Sequence, residues 1–168
     1  DGFLEDTHPA AWTRLIDRLL ASRHYGERWG RHWLDLARYS DTQGGSCDVP
    51  IPEARFYRDY VIDAFHVDKP YDQFVREQIA GDLFTDFKND TERFEALTAT
   101  GFWMLGSKVL DLKDHEARAL TIIAEQLDVM GMAFIGHSIG CARCHDHKFD
   151  PIPAADYYAL AGIMKSTV

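Results

Sequence analysis

Cysteine is scarce in this chain, with 3 residues among 168. A small domain held together by disulfides needs more, so a disulfide framework is excluded as the basis of the fold. Long apolar runs are also missing. None approaches the ~20 residues that cross a bilayer, and we expect no membrane span in this chain. Lys and Arg (18) are outnumbered by Asp and Glu (27), and the net charge of -9 repels a phosphate backbone, so nucleic acid is not an expected partner.

Alternating polar and apolar residues, which mark half-buried strands, are missing too, as are internal repeats. Apolar residues instead recur every three or four positions, which is typical of amphipathic helices. This pattern occupies 12–20, 26–39, 57–64, 72–83, 94–106, 114–134 and 153–164. We therefore predict an all-α fold, a single compact multi-helix domain over 1–168. Gly, Ser, Asp and Pro interrupt the pattern and predict an extended loop near residues 41–52.

Two of the three cysteines, Cys141 and Cys144, stand three positions apart, and His145 follows directly. Residues at i and i+3 of a helical turn lie on one face, so each thiol can form a thioether to one vinyl group of a single haem. His145 would then be the proximal ligand of the iron. C-x-x-C-H is the attachment signature of c-type haem, and the sequence predicts haem c and an electron-transfer function.

Zinc is the main alternative to haem at this motif. Cys141, Cys144, His145 and His147 supply four suitable ligands within seven residues. Structural zinc sites usually draw two ligands from each of two separated segments, and one short stretch is strained around a tetrahedral ion. Cys47 could replace one histidine. A zinc-binding or structural interaction module without haem is therefore kept as an alternative, and hydrogen bonding in the loop is the favoured role for His147.

The second axial ligand of the iron would come from another helix. The available side chains are His24, His32, His66, His115, Met104, Met130, Met132 and Met164. His32 leads weakly, because Trp29 and Trp33 beside it could line a haem, although aromatic residues at helical spacing are more often core. His137 would share the cysteine face if the preceding helix ran on. Without a distal ligand, the domain would be a haem enzyme or a gas-binding module.

Charged residues lie before, within and after the motif. Arg143 and Lys148 could pair with haem propionates through charge-assisted hydrogen bonds, or could be solvated surface cations. Glu125 and Asp128, about one helical turn apart, could bind a hard cation, or could simply lie on an exposed helix face.

The segment 141–158, CARCHDHKFDPIPAADYY, resembles the cytochrome-c-like domain of large secreted planctomycete and verrucomicrobial proteins, a family of unknown function. Similar stretches are 14–42, 57–65, 69–84, 99–106 and 125–136, so the resemblance covers nearly the whole chain. It implies a periplasmic or otherwise exported protein, of which this chain is a fragment. The partners it implies are a redox protein or other domains of the parent chain.

The family pattern transfers roles to only three residues, Cys141, Cys144 and His145. At His137 and at the serine after it, the family tends to have an apolar residue followed by threonine. Cys47 lies in a loop that varies. Neither His137 nor Cys47 therefore inherits a role from the resemblance.

Overall fold

The computed structural model describes residues 2–44, 48–109 and 111–166. Its α-helices are α1 (Ala11–Leu20), α2 (Arg23–Leu36), α3 (Ala54–His66), α4 (Tyr71–Ala80), α5 (Asp90–Ala99), α6 (His115–Met130) and α7 (Ala154–Ser166). Short 3₁₀ turns follow α4 and α5, at Gly81–Leu83 and Thr100–Met104. The described residues contain no β-strand, only an isolated bridge between Thr42 and Pro50. The predicted all-α fold is confirmed.

The predicted loop near residues 41–52 is confirmed as well, since α2 ends at Leu36 and α3 begins at Ala54. Two backbone hydrogen bonds hold its arms together. Gln43 N donates to Val49 O at 2.9 Å, and Ile51 N donates to Asp41 O at 2.8 Å. Cys47 lies outside the described residues.

The main core lies where α2 packs against α3, with α4, α5 and the 3₁₀ turn Thr100–Met104 closing around this pair. Its largest buried side chains are aromatic: Trp33, Tyr57, Tyr60, Phe74 and Phe102. Burying such rings supplies most of the apolar stabilisation of a small domain. Among the described residues, no helix has the length and apolar composition of a membrane span.

Helix α1 differs from expectation in one respect. Its sequence predicts an amphipathic helix and the helix forms, but none of its described residues is buried. Trp12, Leu19 and Leu20 remain exposed. The periodicity correctly marked one apolar face, and the described structure covers it only in part, with the Phe3 ring 5.7 Å from that of Trp12.

Helix α6 carries the chain from the main core to the cysteine motif. It begins as predicted at Asp114, whose Oδ1 accepts hydrogen bonds from Glu116 N at 2.9 Å and Ala117 N at 3.0 Å. It ends earlier than the apolar pattern indicates, because a π-helical turn, Gly131–Ile135, follows Met130. Gly136, with φ of 69°, then terminates helical structure.

A second, smaller core lies beyond this break. It consists of Ile123 and Leu127 of α6, Tyr157 of α7, and Ile139 and Ala142 between the two helices. Val129 of α6 belongs to the main core instead. Helix α6 therefore contributes to both cores, and the segment between α6 and α7 is anchored by its own apolar residues.

Candidate functional site

The C-x-x-C-H motif begins on a 3₁₀ turn, Ile139–Arg143; Cys144 is the C-cap of this turn and His145 follows it. We call residues 139–145 the cysteine turn. Because a 3₁₀ helix has three residues per turn, side chains at i and i+3 point to the same side. Ile139 and Ala142 are buried in the second core, whereas Cys141 and Cys144 are both exposed and free. Both cysteines are therefore on the solvent side of the cysteine turn, opposite its buried residues.

The cysteine turn lies very close to the α6 segment. A Cβ atom on Gly131 would lie 2.6 Å from His137 O, and one on Gly140 would lie 2.8 Å from Asp128 Oδ1. The obstacle at Gly131 is a backbone oxygen, so glycine is required there, whereas a side chain at position 140 would displace the Asp128 carboxylate. His137 N also donates to Gly131 O at 3.0 Å. His137 therefore lies in the break between two helical segments, not on a continuous helix with the cysteines.

Helix α7 supports the other side of the cysteine turn. The Tyr158 hydroxyl donates to Arg143 O at 2.9 Å, and Ala154 N, at the start of α7, donates to Asp146 Oδ1 at 2.8 Å. These two contacts hold the backbone on both sides of His145. Neither supporting residue was identified from the sequence. Asp146 lies eight residues before Ala154, too far for the N-cap position that a sequence pattern would reveal.

The His145 ring is exposed, and its Nδ1 lies 2.7 Å from Asp146 O. A carbonyl oxygen only accepts, so Nδ1 must carry the hydrogen and donate it. The neutral ring then has its lone pair on Nε2. A histidine whose other nitrogen donates to a carbonyl has the tautomer and ring orientation of a typical metal ligand.

His147 has the opposite arrangement. Its side chain is only 7% exposed, and Nδ1 accepts hydrogen bonds from Asp150 N at 2.7 Å and Phe149 N at 3.2 Å. The hydrogen must therefore be on Nε2, which lies 3.0 Å from Ser138 Oγ. Both ring nitrogens are engaged, so His147 organises the loop and has no lone pair free for a metal.

The predicted zinc ligands do not assemble into a cluster. Within the three described ranges, no three His, Cys, Asp or Glu side chains come together as a metal-binding group. Cys47, the substitute ligand, is outside those ranges. Haem attachment requires no such cluster, because it needs two reactive thiols and one imidazole lone pair. Cys141, Cys144 and His145 meet that requirement in chemical type and exposure.

Arg143 and Lys148, the predicted propionate partners, are both exposed. The Lys148 ammonium lies 5.1 Å from the centre of the Phe149 ring. Among the described ion pairs, neither cation has a carboxylate partner. Both side chains therefore remain available to an anionic group next to the cysteine turn.

His32 is exposed on α2, and its ring is 5.4 Å from that of Trp29. Arg28 Nη1 lies 2.9 Å from His32 Nε2, and since a guanidinium only donates, Nε2 is an acceptor in this contact. Helix α2 packs chiefly on α3, whereas the cysteine turn packs on α6 and α7. The role of His32 as distal ligand stays a prediction.

Glu125, predicted to contribute to a hard-cation site, has a different role in the structure. It is largely buried, with Arg38 Nη2 2.7 Å from its Oε1 and Lys108 Nζ hydrogen-bonded to its Oε2. Arg38 also donates to Glu125 O at 2.8 Å. Two protein cations, both distant in sequence, thus take the place of a metal ion. No local pattern indicates either partner.

Comparison with known proteins yields one match. The family model described as PSCyt2, Protein of unknown function (DUF1549), matches residues 1–168. No curated protein and no solved structure matches the chain.

Proposed function

We propose that this chain, which belongs to the PSCyt2 family of proteins of unknown function (DUF1549), is a cytochrome-c-like electron-transfer domain with one covalently attached haem c. Cys141 and Cys144 would be the attachment points and His145 the proximal ligand of the iron. The observation that carries the proposal is the bond from His145 Nδ1 to Asp146 O, because it leaves Nε2 with the free lone pair.

The two thiols suit a double attachment. Cys141 and Cys144 would each hold the haem through a thioether, formed by addition of S–H across one vinyl group, with the sulfur on one carbon, the hydrogen on the other and no oxidant consumed. Their shared side of a 3₁₀ turn and their exposure support reaction with one flat macrocycle. When bound, haem supplies one-electron chemistry at its iron.

The other residues around the cysteine turn would bind and orient. Arg143 and Lys148 would receive the propionates through charge-assisted hydrogen bonds, as their exposure without carboxylate partners allows. Asp146 and Tyr158 would keep the backbone at His145 in place. The net charge of -9 suits a basic redox partner, because complementary charge accelerates encounter. Other domains of a larger exported chain are further proposed partners, in the periplasm or outside the cell.

The test is expression of the chain with an export signal and a periplasmic haem-attachment system. We expect a Soret band and a mass increase of one haem. The double variant Cys141→Ser/Cys144→Ser should lose both, whereas Cys47→Ser, the matched single-cysteine control, should retain them. His145→Ala should keep the adduct but change the spin state of the iron.

A known c-type cytochrome, expressed in the same cells, is the control for haem attachment. If a known c-type cytochrome matures in the same cells while this chain shows neither Soret band nor adduct, the haem proposal is wrong. Stoichiometric zinc that disappears in the double cysteine variant would establish the zinc-binding alternative. A strong spectral change with carbon monoxide would show an open distal position and favour a gas-binding or catalytic haem over an electron carrier.

A further inference from the structure

We propose that a pocket between α3 and α5 binds a small apolar carboxylate, whose carboxylate group pairs with Lys108. The pocket has a volume of about 510 Å³. This size falls in the range of small-molecule sites. The inference does not depend on the haem proposal, since the cysteine turn contributes no residue to this pocket.

Apolar side chains form the walls. Phe56 comes from α3, Phe94 and Leu97 come from α5, and Met104 and Leu105 come from the end of the following 3₁₀ turn and the residue after it. The rings of Phe56 and Phe94 meet edge to face with their centres 5.8 Å apart. Three helical segments therefore converge on one concave apolar surface.

Four of these side chains are exposed to solvent: Phe56, Phe94, Leu97 and Met104. Exposed apolar residues that are scattered singly over a surface need no explanation. Here they line the same cavity, and exposing them together to water has a cost that a ligand would remove. The cavity walls are thus suited to the apolar part of a ligand.

Lys108 gives the pocket its chemical preference. Its side chain lines the pocket but is only 7% exposed. An ammonium group has three N–H donors. One donates to Leu105 O at 2.6 Å and one to Glu125. Within the described part of the chain, the third has no partner and is available to a ligand oxygen.

The charges around Lys108 leave a surplus of one positive charge. Arg38 and Lys108 are both paired with the single carboxylate of Glu125. Burial lowers the pKa of Lys108, which indicates that its ammonium form is poorly solvated. A carboxylate would supply both the missing acceptor and the missing negative charge. Glu53, the acidic residue that lines the pocket, is exposed and therefore screened by water.

Three probes of equal chain length test this chemistry: octanoate, octan-1-ol and octylammonium, titrated into the 168-residue chain at neutral pH by calorimetry. We expect octanoate to bind roughly tenfold tighter than octanol, because a hydrogen bond to a charged group contributes about that much, and octylammonium to bind weakest. Lys108→Met should abolish the difference between octanoate and octanol while preserving the binding of octanol.

A matched pair of surface variants tests the location. Leu97→Asp places a charge on the pocket wall and should abolish binding. Leu120→Asp, on α6 and outside the pocket, should bind as the wild type does; the two leucines are 44% and 41% exposed. Equal affinity for all three probes, or undiminished octanoate binding by Leu97→Asp, would overturn the proposal. If Lys108→Met does not fold, the three probes and the two leucine variants still test the proposal.

Discussion

The bundle of α2 to α5 and the cysteine turn both contain polar side chains, but they use them in opposite ways. In the bundle, Trp33 Nε1 donates to Tyr57 Oη and Gln78 Oε1, both at 3.0 Å, and these two side chains also bond to each other. Every member of this network is buried. In the cysteine turn, the two thiols and His145 are exposed, and none of the described residues bonds to the thiols or to His145 Nε2. Satisfied polar groups stabilise the bundle, whereas the exposed groups of the cysteine turn remain accessible to a ligand.

A second buried network in the bundle is centred on Glu77. It accepts hydrogen bonds at 2.7 Å from Tyr60, Lys69 and Gln73. Lys69 also reaches Glu95, at 3.2 Å. Such a network is costly to break, since removing one partner leaves a buried charge uncompensated.

The largest effect is therefore expected from Glu77→Ala. It should lower the free energy of unfolding by about 3–5 kcal/mol, because Lys69 and Tyr60 lose their buried partner. Urea unfolding provides the measurement. Glu116→Ala is the control, since this exposed glutamate pairs with Lys165 on the surface and should cost about 1 kcal/mol or less. Equal losses in both variants would contradict the contrast between the two regions.

His145 and His147, two positions apart, test the same contrast between exposed and buried polar side chains. His147→Ala should lower the free energy of unfolding of the haem-free chain by about 1–3 kcal/mol, because the His147 side chain is largely buried and two backbone N–H groups, of Phe149 and Asp150, lose their acceptor. His145→Ala should change it by about 0.5 kcal/mol or less, since the ring is exposed. Thermal unfolding measures the loss of stability in both variants. A larger loss for His145→Ala than for His147→Ala would show that the assigned tautomers are wrong.

Gly131→Ala tests the close approach behind the cysteine turn. The new Cβ would collide with His137 O, so we expect a loss of about 1–3 kcal/mol. Gly162→Ala, at an exposed position of α7, is the opposite case, because no atom lies within 4 Å of the added Cβ. It should stabilise the helix by about 0.5–1 kcal/mol. Urea midpoints that move in the same direction for both variants would contradict this close contact.

Alkaline pH tests the Glu77 network through its tyrosine. Burial first, and then the Glu77 carboxylate, raises the pKa of Tyr60. The folded state therefore holds this proton after the unfolded state, with a tyrosine pKa of about 10, has released it, and stability falls as pH rises past that value. Tyr60→Phe should lose up to about 1.4 kcal/mol less per pH unit than the wild type there. Urea unfolding on either side of that pH measures the difference, and identical slopes would refute it.

The fold was largely predictable from the sequence, since helices depend on local periodicity and caps. Asp114 illustrates this: a side-chain acceptor before an apolar run predicted the start of α6. Burial was less predictable. Trp29 and Trp33 occupy one predicted stripe, yet Trp29 is 49% exposed and Trp33 is 6% exposed. Periodicity defines a face, but a neighbouring element determines how much of that face is covered.

The residues of the candidate site also differ in how far the sequence could predict them. Cys141, Cys144 and His145 were identifiable because their chemistry depends on spacing along a few residues. The partners of Glu125 were not, because Arg38 lies 87 residues away in the chain. The pocket next to Lys108 was also not predictable, since its walls come from separate helices.

The sequence by itself determined the helices, the loop near residues 41–52 and the position of the C-x-x-C-H motif, because each depends on residues close together in the chain. Only the tertiary structure decided which of two nearby histidines has a free lone pair. His145 and His147 are chemically identical, and the distinction arises from the backbone groups that the fold places beside each ring.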